Sequence, residues 1–223
     1  MSTAQRQSSI EISSNGPPTA TPAEIKEPTA TPTAVAQATT TPTPAPATST
    51  PEPPTVTPTP EPVWQADGVI GEDEYAHQAA GAGVTFYWTN DADHLYGALF
   101  APTQGWVAVG FDPQTRMQGA NFVFAYVQGG QTSIQDMFGT RPQGPGSHPP
   151  DEQLGGQNNI LEYGGQEADG STIVEFKIPL DSGDEYDKPL LPGSSYTVIL
   201  AYGSSDDFDS YHVDRGYAEI GLD

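Results

Sequence analysis

The chain has 223 residues, with 7 Lys+Arg against 29 Asp+Glu, a formal charge of −22, 23 Pro, 24 Gly and no Cys. A charge of that sign repels a phosphate backbone and anionic membrane surfaces, which excludes nucleic acid as a partner. The lack of Cys excludes disulfides, thiolate metal sites, a cysteine nucleophile and thioether-attached haem.

Fourteen of the 23 prolines lie before residue 63, whereas 23 of the 24 glycines lie after it. The composition therefore divides the chain into residues 1–62, a Pro/Thr/Ala-rich linker or stalk, and residues 63–223, a folded domain carrying about −19 of the charge. Runs such as Thr39-Thr40-Thr41-Pro42-Thr43-Pro44 have no aromatic residue and no apolar period. Such a segment buries too little surface to offset the entropy of ordering, so it is expected to be disordered and extended in polyproline II. The expected role is a tether for an extracytoplasmic domain at the cell surface or in the periplasm. Met1–Gly16 lacks the apolar stretch of a secretory signal, and a lipid or cell-wall anchor lost from the N-terminus fits the stalk. No apolar run approaches the roughly 20 residues of a membrane helix, so no direct membrane span is expected.

After Val63 the pattern becomes short β-rich runs separated by Gly, Asp, Asn and Pro, which predicts an all-β fold, an antiparallel immunoglobulin-like β-sandwich. The predicted strands are Val84–Thr89, His94–Ala101, Gly105–Phe111, Asn121–Val127, Thr132–Phe138, Thr172–Ile178, Tyr196–Tyr202 and Tyr217–Leu222. Asn90–Asp93 and Gln128–Gln131 read as hairpin turns. Gln143–Gln157, rich in Gly and Pro, reads as a long surface loop of the kind that often carries function.

Hydrolase motifs are absent: there is no H-x-x-x-H pair, no G-x-S-x-G elbow and no phosphate loop. The acidic clusters Glu72–Glu74, Asp181–Asp187 and Asp206–Asp209 offer oxygen ligands to calcium, but none matches an EF-hand loop and solvated acidic loops are the expectation. His77 and His94 sit in or beside strands and read as structural. Met137 reads as a core residue inside a strand, and His148 as a secondary ligand candidate. The sharper pair is Met117, in a short turn where packing does not require a methionine, and His212, ahead of the last strand.

These features resemble the DOMON family, specifically its haem-binding cytochrome members. The resemblance runs over roughly Val63–Asp223. It rests on Asp67-Gly68-Val69-Ile70, on Trp88-Thr89-Asn90-Asp91 before Leu95-Tyr96, and above all on Gly105-Trp106-Val107-Ala108-Val109-Gly110-Phe111 followed by Met117-Gln118-Gly119-Ala120; Ile134-Gln135-Asp136 and His212 follow. It implies a sandwich holding haem b, noncovalently, between a methionine and a histidine that both come from loops at one end. Carried over to this chain, Met117 and His212 become the axial iron ligands, Trp106 a wall of the site, and Arg116 and Arg215 partners for the propionates. Thioether and imidazole ligation leaves no open position on iron, so the implied role is single-electron transfer rather than catalysis. The implied partner is a redox protein, basic given the charge, or a small-molecule electron donor or acceptor. Two other readings stay open: a haem-free carbohydrate-binding sandwich, in which exposed Trp64, Trp88 or Trp106 stack on sugars and an acidic loop holds calcium, and an adhesive surface module.

Overall fold

The computed structural model describes residues 64–223, and the expected disordered stalk of residues 1–62 lies outside the described residues. Ten strands follow in chain order: β1 (His77–Gly81), β2 (Val84–Asn90), β3 (His94–Ala101), β4 (Val107–Phe111), β5 (Asn121–Gln128), β6 (Gln131–Phe138), β7 (Glu162–Ala168), β8 (Ser171–Pro179), β9 (Ser195–Gly203) and β10 (His212–Gly221). A single turn of helix, α1 (Asp151–Leu154), lies between β6 and β7. The strands form two antiparallel five-stranded sheets, ordered β1-β2-β3-β8-β7 and β10-β9-β4-β5-β6. The all-β sandwich expected from the strand pattern is the observed fold.

Each sheet turns one face inward. Val84, Phe86, Trp88, Leu95, Leu99, Val174 and Phe176 from the first sheet meet Val107, Val109, Phe111, Val123, Val198 and Leu200 from the second in one buried core. Alternation along β2 (buried at Val84, Phe86 and Trp88) produces this face from the period-two geometry of a strand. Three hairpins close with two residues at positive φ, Ala82-Gly83, Gly129-Gly130 and Asp169-Gly170. That backbone matches the right-handed twist of the flanking strands.

The outer face of the first sheet is covered by the segment ahead of β1. Glu175, fully buried on β8, accepts from the Gly68 N–H at 2.6 Å and from the Tyr75 hydroxyl at 2.7 Å. Trp64 Nε1 donates to the Tyr75 hydroxyl at 3.0 Å, and the Trp64 ring sits edge-on to Tyr96. Burial holds the Glu175 carboxyl above its usual range, against the opposing effect of its two donors, and burial with that carboxylate raises the Tyr75 phenol well beyond its ordinary value.

Four expectations need correction. The expected surface loop Gln143–Gln157 contains α1 and two fully buried residues, Ser147 and Asp151, because it folds back against β6: Phe138 N donates to Pro149 O at 3.1 Å and Met137 bridges to Pro150. β10 begins at His212 rather than Tyr217, since edge pairing to β9 recruits polar residues that carry no strand signal of their own. β1 and β7, both sheet edges, were not expected as strands. Trp88 and Trp106, at 4 % and 2 % exposure, are not exposed platforms for stacking on a sugar.

Candidate functional site

The second sheet is apolar on both faces. Strand β5 reads Asn121-Phe122-Val123-Phe124-Ala125-Tyr126-Val127; Val123, Ala125 and Val127 enter the sandwich core, so Phe122, Phe124 and Tyr126 point to the opposite side. There they join Trp106, Ala108, Ala120, Met137, Ile199 and Ala201 in a second buried cluster, with Met117 and Phe208 packed against it.

The strand register maps this outer face. One row across the sheet runs Arg215, Ala201, Ala108, Phe124, Gln135; the next runs Tyr217, Ile199, Gly110, Phe122, Met137. The middle of the face is thus a floor of small residues, Ala201, Ala108, Gly110 and Gly203, flanked by aromatic rings. Gly203 is required there: a Cβ on it would lie 2.1 Å from Trp106 Nε1, and the ring is fixed by its bond to Ser210 Oγ at 2.9 Å.

Met117 is set by the turn that joins β4 to β5. Gln114 N donates to Gln118 O at 2.9 Å, Ala120 N to Met117 O at 3.2 Å and Gly119 N to Gly139 O at 2.7 Å. Gly139 must lack a side chain, because a Cβ would fall 1.7 Å from Met117 O. Asp112 and Arg116 adopt φ of 50° and 53°. Left-handed backbone is uncommon for arginine, and such strain concentrates where a chain must aim a functional group. Met117 contributes to packing after all: it is half-buried against the cluster, and its Sδ accepts from Ser147 Oγ at 3.9 Å.

His212 opens β10 and pairs with Gly203, on the edge of the same face. Because β10 runs alongside β4 through the intervening antiparallel β9, its start lies beside Trp106, at the end of the sheet away from the β4–β5 turn. Met117 and His212 therefore flank the floor from opposite ends, not from loops at one end. His212 Nε2 lies 2.7 Å from Arg215 Nη1, which donates to the ring nitrogen. Partial burial, and then the Arg215 cation, depress the His212 pKa, so the ring is neutral and keeps a nitrogen lone pair.

The imidazole nearest the middle of the face is that of His148. It stacks on Phe124 with ring centroids 5.2 Å apart and tilts against Phe122 at 5.6 Å. Its Nδ1 is buried with no hydrogen-bond partner, and burial lowers its pKa. Phe208 covers Tyr126 and Phe124 from the loop before β10. A signal present in the sequence but not drawn from it is the uninterrupted apolar run of β5, which requires a cover on both faces; nothing local to the Gly/Pro-rich loop identifies His148 as that cover.

Of the two arginines singled out in the sequence, Arg116 donates to Gln143 Oε1 and Arg215 to His212. Arg141, not singled out, ties the carbonyls of Pro145 and Gly146 at 2.7 and 3.0 Å and so shapes the loop that bears His148. His77 stacks on Trp88 and lies 2.8 Å from Asp223 Oδ2, and His94 lies 3.5 Å from Asp91 Oδ1; neither reaches the outer face of the second sheet.

Among solved structures, the chain is similar to the cytochrome b domain of pyranose dehydrogenase from Coprinopsis cinerea at 14% identity, with a TM-score of 0.45 over 61% of this chain and 75% of that one. It is similar to the cytochrome domain of Myriococcum thermophilum cellobiose dehydrogenase at 13% identity, with a TM-score of 0.44 over 63% and 75%. A family 9 carbohydrate-binding module from Caldicellulosiruptor kristjanssonii, in complex with glucose, matches at 12% identity, with a TM-score of 0.42 over 73% and 92%. The DOMON domain family matches residues 81–203, a span that holds Trp106, Met117 and His148 and stops at the end of β9, short of His212. The chain belongs to the DOMON domain family.

Proposed function

We propose that the domain is an extracytoplasmic b-type cytochrome, holding haem noncovalently on the outer face of the second sheet and passing single electrons. The observation that carries this reading is the arrangement of a thioether and an imidazole at the two ends of an apolar, small-residue floor. The residues fit the group. Ala108 and Ala201 keep the centre of the floor low, the Phe122 and Trp106 rings lie over Gly110 and Gly203 and with Phe124 offer aromatic walls, and the donors are a soft sulfur and a neutral nitrogen. With no Cys in the chain, such a group is held by ligands and packing alone.

Met117 and His212 would hold the iron, which supplies a one-electron couple when bound. The protein's own groups do the rest. The tight β4–β5 turn fixes the thioether, while the Arg215 guanidinium, now spent on His212 Nε2, is freed for an anionic group when that nitrogen takes another partner. His148 and Phe208 pack on the Phe122, Phe124 and Tyr126 rings beside the floor and would have to shift for a haem to lie against it. The domain's charge of about −19 steers a basic redox partner and repels acidic ones, with an on-rate that falls as salt rises. On this reading the domain transfers electrons and is not itself a catalyst, and the Pro/Thr segment is its tether. Among the described residues no helix is long and apolar enough to cross a membrane.

Titrating haemin into the purified chain tests the proposal. The expected result is saturation at one haem per chain, a sharpened Soret band and quenched tryptophan emission from Trp106. Free-haemin spectra throughout the titration would overturn it.

A further inference from the structure

A second cluster of functional groups lies apart from the outer face. Asp136 on β6, Asp151 at the start of α1 and Asp187 in the loop after β8 each place a carboxylate oxygen within 4.8 Å of the others. They come from three segments far apart in sequence, and two of the three are buried. The run Asp181–Asp187 was expected to be a solvated acidic loop; Asp187 instead turns inward, accepting from Ser182 Oγ and from Asn121 Nδ2 at 2.8 Å.

The cluster is short of partners. Asp151 is fully buried and neither of its carboxylate oxygens has a hydrogen-bond donor. Asn121, at 7 % exposure, leaves its amide oxygen unpaired in the same place. Asp136 accepts one backbone N–H, from Asn159, at 2.9 Å. Among the described residues no ion pair reaches the three acids, for the one nearby cation, Lys188, places its ammonium 2.8 Å from Asp112. Asp151, buried with neither donor nor countercharge, is costly, and two further carboxylates within 4.8 Å add repulsion. Asn121, Asp136, Asn159, Ser182, Asp187 and Lys188 line a cavity of ≈ 10 Å³, room for a single water-sized sphere.

We infer that Asp136, Asp151 and Asp187, with the Asn121 amide oxygen, form a binding site for one hard divalent cation, calcium by its ligand chemistry. All four donors are oxygens, three of them anionic, with no sulfur or imidazole among them, which selects against zinc and copper. A site assembled from two strands, a helix start and a loop has no imposed octahedral arrangement, which suits the longer, irregular coordination of calcium better than the strict octahedron of magnesium. In the metal-free protein, burial first and mutual repulsion second push Asp136 up to about 8 and Asp151 up to about 7, and Asp187 is raised as well, with Asp184 and Glu152 adding to the repulsion. The cation therefore competes with protons. The site has a structural consequence for the outer face, since Asp151 follows Ser147-His148-Pro149-Pro150 directly and a cation at Asp151 clamps the base of that loop. The inference does not depend on haem.

The test uses the full chain stripped with chelator. Calorimetric titration of calcium chloride near neutral pH is expected to give one site per chain, with a dissociation constant no weaker than the order of 1 mM reached by extracellular modules. Calcium is also expected to raise the melting temperature, and magnesium to do so less. Asp151→Asn and Asp187→Asn should each weaken calcium binding at least about tenfold, as loss of a charged ligand would, while raising the melting temperature of the metal-free protein, because each relieves repulsion. Asp207→Asn, in the acidic loop before β10 and outside the cluster, should leave the affinity unchanged. The inference is overturned if no stoichiometric binding appears, or if the Asp151→Asn, Asp187→Asn double variant keeps wild-type affinity. It is also overturned if the cluster holds only protons. Carboxylates raised in the folded state lose stability as pH climbs from about 4 toward 8, and in that case calcium would leave the decline unchanged.

Discussion

Truncation of Phe86 to alanine is expected to destabilise the domain by about 3–5 kcal/mol, the range for deleting a large aromatic from a close-packed core. Phe86 is fully buried at the centre of β2. Its ring stacks on Phe176 at 6.2 Å and 6°, stacks on Trp88 at 5.4 Å, and meets Phe111 of the opposite sheet edge-on at 6.0 Å. It therefore bridges β2 and β8 across the intervening β3 and joins the first sheet to the second. Gly97 beneath it is fixed by the same packing, since a Cβ there would lie 2.7 Å from Phe176 and 2.9 Å from Phe86, so the cavity left by truncation has little means to collapse. Urea unfolding should show a lower midpoint with the slope unchanged. A loss below about 1 kcal/mol, less than a well-packed methylene pair contributes, would mean that the two sheets are not held by this cluster.

The second large effect is spectroscopic. With haem bound, Met117→Ala and His212→Ala are each expected to abolish the low-spin, six-coordinate spectrum, whereas His148→Ala should retain it. Ligand removal changes the spin state of iron whatever it does to stability, so thermal melts of the haem-free variants separate loss of a ligand from loss of the fold. Should His148→Ala lose the low-spin spectrum while His212→Ala keeps it, the imidazole ligand is the one stacked on Phe124 and not the one at the edge of β10. Unchanged spectra in all three variants would place the ligands elsewhere.

Much of the fold was legible because β2, β3, β5, β8 and β9 announce themselves through β-branched and aromatic residues in period two. The edges were not. His77-Gln78-Ala79-Ala80-Gly81 and Glu162-Tyr163-Gly164-Gly165-Gln166 carry little strand propensity, and they are strands because β2 and β8 present unpaired backbone beside them. Met117 could be singled out from its turn and from the family pattern. Its relation to His212 could not, since that depends on β10 lying next to β9 and running alongside β4. His148 was named only as a secondary ligand candidate, and its packing on Phe122 and Phe124 was not legible for a similar reason, being made across a loop rich in Gly and Pro. The carboxylate cluster was the least visible feature. Asp136, Asp151 and Asp187 sit among a domain's worth of acids, and only the fold shows which three are buried together.

The account stands most directly on one absorption measurement. Purified protein loaded with haem is recorded oxidised and then after dithionite reduction. It predicts a sharp Soret band that shifts on reduction and well-resolved alpha and beta bands in the ferrous state, as Met/His ligation requires. A broad Soret band without resolved alpha and beta bands would contradict it.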